Sequence, residues 1–329
     1  MKGRPASSAT RLPTLDLPLA MKPLTISGRR MCARFTTEAA SGRGPPPRMW
    51  RSLAELATLT TPMVLRFGKY EGIGNDFLVV EADSETALGP EQARKLCDRH
   101  YGVGGDGVLL AAPPITAGAH GRMVVLNSDG SRPEGCGNGL RCVALALARR
   151  AGQARAELII DTDAGPRTAL VETRGDVADV TVSMGLAKRD GAVKAVHRGE
   201  ELTFQRVSMG NPHAIVFDVA CTEQELDELG PRISKSLPGG SNIEFVQAVA
   251  PATFDVLVWE RGVGRTLACG TGAAAVAALA ALEGRAPFDA PMTLRLPGGP
   301  LELTVRREDL AVTLRGPARY VFSGEVPEP

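Results

Sequence analysis

A chain that repeats its most unusual turn at a fixed spacing is constrained to fold as two like halves. Here Cys136-Gly137-Asn138-Gly139 recurs as Cys269-Gly270-Thr271-Gly272, 133 positions later, and Gly74-Asn75 recurs as Gly210-Asn211, 136 positions later. One internal duplication explains both offsets, where chance needs two separate events. Each Cys-Gly-x-Gly turn opens an apolar segment. Leu140, Val143, Ala144 and Leu147 follow the first, and Ala273 to Leu282 follow the second, leaving almost no polar face, so both segments are expected to be buried helices. Arg149 and Arg150 before Gly152, and Glu283 before Gly284, supply their C-terminal stops. Two similar halves packed about a pseudo-twofold axis would set the two turns facing each other across a cleft.

Around these helices the pattern is mostly strand. Short runs rich in valine, isoleucine and leucine stand between turn signals at 64–67, 77–80, 123–126, 158–161, 177–182, 214–217, 254–258, 301–305 and 310–314. Helical periods are confined to 90–100, 138–150, 222–229 and 271–283. The fold class expected is α/β of the α+β type.

Bulk properties narrow the function. With 329 residues, 43% of them hydrophobic, and a formal net charge of +1, the chain has the length of two domains and the composition of a globular protein. Near-neutral charge and an aromatic content of 4% argue against a nucleic-acid surface, which wants a basic field and stacking platforms. No apolar run approaches the roughly 18–20 residues that cross a bilayer, so no membrane role is expected. The cysteines (Cys32, Cys97, Cys136, Cys142, Cys221, Cys269) include no Cys-x-x-Cys pair. They are too sparse for a disulfide scaffold and wrongly spaced for zinc, so reduced thiols in a cytoplasm are expected, with no metal. The first sixty residues are basic, with ten lysines and arginines against Asp16, Glu38 and Glu55, and lack a steady hydrophobic period. They read as a disordered leader, either organelle-targeting or translated from a start placed too early, and Met63 directly before the first strand favours the second.

The repeated turn carries the chemistry. Its two glycines let the backbone approach a ligand, and the first helical N–H groups point outward without internal partners, so an anion belongs there. The cysteine just ahead feels the positive end of the helix, which can pull a thiol pKa from about 8.5 to between roughly 3.5 and 7.5. A single cysteine is commonly just a small buried hydrophobe, which is the reading for Cys32, Cys97, Cys142 and Cys221. Cys136 and Cys269 differ because both hold the same place in a duplicated helix start. Two thiols across a carboxylate site suggest proton removal from one face of a carbon and return on the other, a racemase or epimerase. A positioned base supplies only about 10² to 10⁴ in rate. Amide donors aimed at the carboxylate would add roughly 3–4 kcal/mol each.

Six motifs, in order, resemble those of the diaminopimelate epimerase family. They are Lys69-Tyr70-Glu71-Gly72-Ile73-Gly74-Asn75-Asp76-Phe77, Asn127-Ser128-Asp129-Gly130-Ser131, Glu134-Gly135-Cys136-Gly137-Asn138-Gly139, Ser208-Met209-Gly210-Asn211-Pro212-His213, Asn242-Ile243-Glu244-Phe245, and Glu260-Arg261-Gly262 with Ala268-Cys269-Gly270-Thr271-Gly272. The resemblance covers residue 64 to nearly the end. It implies two pseudo-symmetric domains, each a strand-rich barrel around a central apolar helix, at 64–181 plus 315–329 and at 182–314. It also implies a homodimer and conversion of LL- to meso-diaminopimelate without a cofactor, in lysine biosynthesis. By the same resemblance Cys136 and Cys269 are proton donor and acceptor, exchanging roles in reverse. Gly137, Asn138, Gly270 and Thr271 would hold the reacting carboxylate. Asn75, Asn127, Asn211, Asn242, Glu260 and Arg261 would grip the distal end, and His213 and Glu260 would tune the thiols.

Two positions depart from the family pattern. Gly107 stands where many members carry glutamine, and Phe322 where a dimer-contact tyrosine is usual. Two rivals stay open. A proline or hydroxyproline racemase of the same fold would leave Glu260-Arg261, Asn211 and Asn242 nothing distal to hold. A non-catalytic binder need not keep both cysteines.

Overall fold

The computed structural model describes residues 64–327 except Glu134 and Pro238. The leader at 1–62, with Cys32, and the motif residue Glu134 lie outside the described residues. The chain runs β1 (Val64–Gly72), β2 (Asn75–Glu81), α1 (Pro90–Cys97), β3 (Gly107–Ala112), β4 (Gly121–Asn127), α2 (Gly137–Arg150), β5 (Arg155–Asp161), β6 (Arg167–Arg174), β7 (Val177–Leu186), β8 (Lys188–His197), β9 (Glu200–Ser208), β10 (Pro212–Phe217), α3 (Glu223–Ser236), β11 (Asn242–Ala250), β12 (Thr253–Glu260), β13 (Gly264–Arg265), α4 (Gly270–Leu282), β14 (Met292–Leu296), β15 (Gly299–Val305) and β16 (Ala311–Pro327). It is a sheet-rich α+β fold, as the sequence leads one to expect.

The duplication is visible strand by strand. From β1 to β7 the pairings run antiparallel, parallel, antiparallel, parallel, antiparallel, antiparallel. From β9 through β10, β11, β12, β14 and β15 to β16 the same series recurs. Each parallel pair needs a crossover, and α1, α2, α3 and α4 supply them at matching places. Strand β16 pairs with β1, β7 and β15, so it closes the first half into a ring of eight strands and is also an edge of the second half. In the second half, β8 stands at the end of the strand order among the described residues.

The two apolar helices fill the halves. Helix α2 packs against all eight strands of the first ring, and α4 packs against β9, β10, β11, β14, β15 and β16. Every residue of α4 from Ala273 to Ala281 is buried, which an alanine-rich helix permits because its thin cylinder fits inside a small barrel. Both expected stops are present. Gly152 and Gly284 take φ of 66° and 71°, a left-handed conformation that suits glycine. The N–H groups of Gln153 and Arg285 then return to the carbonyls of Ala148 and Ala280. Helix α3 runs beyond the expected end at Leu229, through Gly230 and Pro231. Leu226, Leu229 and Ile233 form its buried stripe, and a side chain at Gly230 would collide with the Trp259 ring, so glycine there serves close packing and not a stop.

Candidate active site

The duplicated turns meet. A Cβ at Gly270 would lie 3.0 Å from the Gly137 Cα, and one at Gly137 would lie 3.3 Å from the Gly270 Cα. The N-termini of α2 and α4 therefore abut, and a side chain on either glycine would press them apart. We expect Gly270→Ala to destabilise the fold by about 1–3 kcal/mol, the usual cost of overpacking. A shift of the urea midpoint measures it, and an unchanged midpoint would mean the helix starts have room to part.

Each cysteine is the cap of its helix. The Cys136 sulfur accepts from the Gly139 N–H at 3.2 Å, and the Cys269 sulfur accepts from the Gly272 N–H at 3.3 Å. Carbonyls of the same residues accept from Leu140 and Ala273. Cys136 is half-buried and Cys269 is buried. The thiol acidity differs from the sequence expectation. Burial pushes the Cys136 thiol up to about 11, outweighing the Gly139 N–H and the helix start. It pushes Cys269 well above the ordinary range too, and any negative charge on the nearby Glu260 or Glu244 carboxyl would add to the rise. A thiol held high is a stronger base once ionised, but few are ionised at rest. Alkylation of Cys136 in the unliganded protein should therefore be slow at pH 7 and climb about tenfold per pH unit toward 10. Peptide mass spectrometry reads this, and fast labelling at pH 7 would contradict it.

Beside the helix starts lies a cavity of about 670 Å³ lined by Asn75, Asn127, Cys136, Asn211, Asn242, Glu260, Arg261 and Thr271, among others. Eight of the residues singled out in the sequence thus share one space. Cys269, His213, Gly137, Asn138 and Gly270 do not line it, although Cys269's neighbours Ala268 and Thr271 do. Asn75 opens β2 after Gly74, whose φ is 83°; its Nδ2 donates to Asp106 Oδ2 at 2.7 Å, and its Oδ1 accepts from Asn138 Nδ2 at 3.1 Å. Asn127 ends β4 and donates to Ser131 Oγ at 2.9 Å. Asn242 opens β11; its Oδ1 accepts from the Arg261 N–H at 2.8 Å and its Nδ2 donates to the Pro212 carbonyl at 3.1 Å. It thereby fixes the corner that aims Arg261. Glu260 ends β12 and accepts from Thr266 Oγ1 at 2.5 Å, with burial raising its carboxyl.

Four arginines line the cavity. Arg99 pairs with Asp76 and Asp106, Arg132 with Glu85 and Asp163, and Arg265 with Glu223 and Asp227. Among the described residues Arg261 has no carboxylate partner: its Nη1 donates to the Gly239 carbonyl at 2.8 Å. It is the lining arginine left to receive an anion. His213 sits on β10 behind this wall, wholly buried, with Nδ1 2.6 Å from Glu244 Oε1 and Nε2 3.1 Å from Asn211 Oδ1.

Two residues escaped the sequence reading. Asp106 anchors both Asn75 and the Asp76 N–H, and Glu244 backs His213. Glu244 left a signal, since a charge between Ile243 and Phe245 in an apolar run must be buried with a partner. The departures have structural correlates. A Cβ at Gly107 would lie 2.8 Å from the Leu126 carbonyl, so a longer side chain would need the strand to shift. Phe322 is 45% exposed and packs edge-on against Phe67, with ring centroids 5.9 Å apart.

Two like halves, each offering a cysteine-capped helix start to the other, define a duplicated α+β fold. Solved structures share it: a hydroxyproline epimerase from Agrobacterium vitis superposes with a TM-score of 0.66 at 17% identity, covering 80% of this chain and 91% of that one. A phenazine biosynthesis protein of the PhzF family from Bacillus anthracis gives 0.62, also at 17% identity, covering 80% and 99%. Sequence separates this chain from both. It belongs to the diaminopimelate epimerase family: the family model, described as diaminopimelate epimerase, matches residues 67–189 and 206–321. The Synechococcus elongatus diaminopimelate epimerase is 42% identical over 283 residues, 80% of this chain and 99% of its own. The chloroplastic diaminopimelate epimerase of Oryza sativa subsp. japonica is 37% identical over 325 residues, 92% and 90% respectively.

Proposed function

We propose that the chain converts LL- to meso-diaminopimelate by removing the α-proton with one thiol and returning a proton from the other. The observation that carries this reading is the abutment of two cysteine-capped helix starts beside a cavity lined by Arg261, which among the described residues has no carboxylate partner. N–H groups at Gly137-Asn138 and Gly270-Thr271 receive the reacting carboxylate and stabilise it as charge flows onto it during deprotonation. Cys269 takes the proton and Cys136 gives one in the LL to meso direction, and the roles exchange in reverse. Arg261 pairs with the distal carboxylate, and Asn75, Asn127, Asn211, Asn242 and Glu260 supply the remaining polar contacts that choose one end of a symmetrical substrate. His213 and Glu260 adjust the thiol pair. Thiols doing all acid–base work need no cofactor, so activity is expected without added pyridoxal phosphate or metal.

The two domains are taken as 64–181 plus 315–329 and 182–314, with β16 as their common strand. A homodimer is expected through the face bearing Val321 and Phe322, which are 51% and 45% exposed. Free thiols suit the cytoplasm, and no described helix is long and apolar enough to cross a membrane. Chiral chromatography after incubation with LL-diaminopimelate, and separately with L-proline and trans-4-hydroxy-L-proline, tests the assignment. Meso product from the first alone supports it. Turnover of a proline substrate alone would replace it with the racemase reading, which Arg261 disfavours because proline offers no distal carboxylate.

A further inference from the structure

The duplication allows the two thiols to be compared atom by atom. In the parallel ladders Phe77 pairs with Gly107 as His213 pairs with Asn242, so Phe77 corresponds to His213. Two steps along, Leu109 corresponds to Glu244. Packing agrees: a Cβ at Gly139 would meet Leu109 at 3.0 Å, and one at Gly272 would meet Glu244 Oε1 at 2.9 Å. Asn75 and Asn138 correspond likewise to Asn211 and Thr271. The halves therefore present matched thiols on unmatched supports. Behind Cys136 stand a phenylalanine and a leucine; behind Cys269 stand a histidine and a glutamate, both wholly buried.

On the second side the polar groups form an unbroken chain. Glu244 Oε1 lies 2.6 Å from His213 Nδ1, and His213 Nε2 lies 3.1 Å from Asn211 Oδ1. Asn211 Nδ2 donates to Thr271 Oγ1 at 3.2 Å, and that oxygen lies 3.5 Å from the Cys269 sulfur. Directions follow from the donors. An amide oxygen only accepts, so His213 Nε2 carries hydrogen; Thr271 receives the amide N–H, so its own O–H is left to point at Cys269. With Nε2 protonated, Nδ1 either accepts from a neutral Glu244 carboxyl or donates to its carboxylate, and one proton lies between them in both cases. Burial raises the Glu244 carboxyl and favours the neutral form.

Resting on the epimerase reading for its role in turnover, we propose that Glu244 is a positioning residue: through His213, Asn211 and Thr271 it holds a donor hydroxyl on Cys269, making that thiol, and not Cys136, the one whose ionisation this chain of hydrogen bonds controls. Around Glu244 the titratable groups are His213 on β10, Glu260 at the end of β12 and Cys269 at the start of α4. Leucine at 244, the residue type of the other half, removes the partner that keeps Nδ1 an acceptor; the imidazole tautomer, the Asn211 amide and the Thr271 hydroxyl then lose their enforced directions. Glutamine can still donate to Nδ1.

The test is site-resolved alkylation by iodoacetamide across pH 7–10, read by peptide mass spectrometry, for Glu244→Leu, Glu244→Gln and Thr271→Val. It needs no substrate, so it stands apart from the success or failure of the epimerase assignment. Glu244→Leu and Thr271→Val should slow Cys269 labelling about tenfold through loss of thiolate, while Cys136 stays within about twofold. Glu244→Gln should keep both rates. If the Leu variant does not fold, Thr271→Val and Glu244→Gln decide the matter alone. Parallel change at both thiols would make Glu244 merely structural. A faster Cys269 would mean that Glu244 acts as a bare negative charge, and no change at Cys269 in any variant would leave the chain of hydrogen bonds without effect; either overturns the proposal.

Discussion

Replacing Cys136 or Cys269 by alanine is expected to abolish epimerisation, with a fall in turnover of at least about 10² to 10⁴, the contribution of a positioned acid or base. The double variant should be no worse than either single one, because inversion needs both thiols at once and effects within one catalytic unit do not add. The singles should differ in a way that assigns the faces. With Cys136 gone, Cys269 can still remove and return a proton on its own side, so LL-substrate in deuterated water should exchange slowly without inversion; with Cys269 gone, exchange should move to the meso isomer. Each change also deletes a sulfur that caps a helix, at about 0.5–2 kcal/mol, so circular dichroism must confirm folding. Turnover near that of the native chain from either single variant would dispose of a two-thiol mechanism.

Arg261→Met is expected to lower kcat/KM for diaminopimelate by roughly 10² to 10³, within the 2–5 kcal/mol typical of removing one partner of a buried charge pair. The reasoning is one of elimination. Arg99, Arg132 and Arg265 are each bound to two carboxylates, whereas Arg261 meets only a backbone carbonyl among the described residues. Most of the loss should fall on KM, since the distal carboxylate carries the same charge in ground and transition states. Lysine should restore only part, having a charge but no planar fork. A variant with unaltered KM would show that the distal end lies elsewhere.

Much of this architecture was legible because the duplication writes its chemistry twice. The Cys-Gly-x-Gly turns located both helix starts, and the composition of 273–281 announced a fully buried helix before any contact was known. Seven strands, β3, β6, β8, β9, β11, β13 and β14, lie outside the runs read from the sequence, and two of them show why. β3 is a short, wholly buried run with no alternation, and β8, Lys188–His197, is mostly exposed at the end of the strand order, where pairing with β9 and not an apolar face defines it. The helical period of α3 is legible only to Leu229, and the helix runs on through Gly230-Pro231, where the glycine admits Trp259. The thiol acidity escapes the sequence for a deeper reason: a helix start is local and readable, but desolvation depends on everything packed around it. Slow alkylation at pH 7 is the expected consequence of such burial and does not count against catalysis.

Glu244 illustrates the remaining gap. It stands inside one of the family motifs, yet its partner is 31 positions away, and only the parallel register of β10 and β11 brings the two together.

The decisive measurement is proton NMR of the reduced, purified chain with LL-diaminopimelate in deuterated water, without added pyridoxal phosphate. Disappearance of the α-proton signal together with growth of the meso isomer is the expected result, and it tests substrate, stereochemical course and cofactor independence at once. An α-proton that persists in the presence of folded protein with both thiols reduced would contradict the assignment.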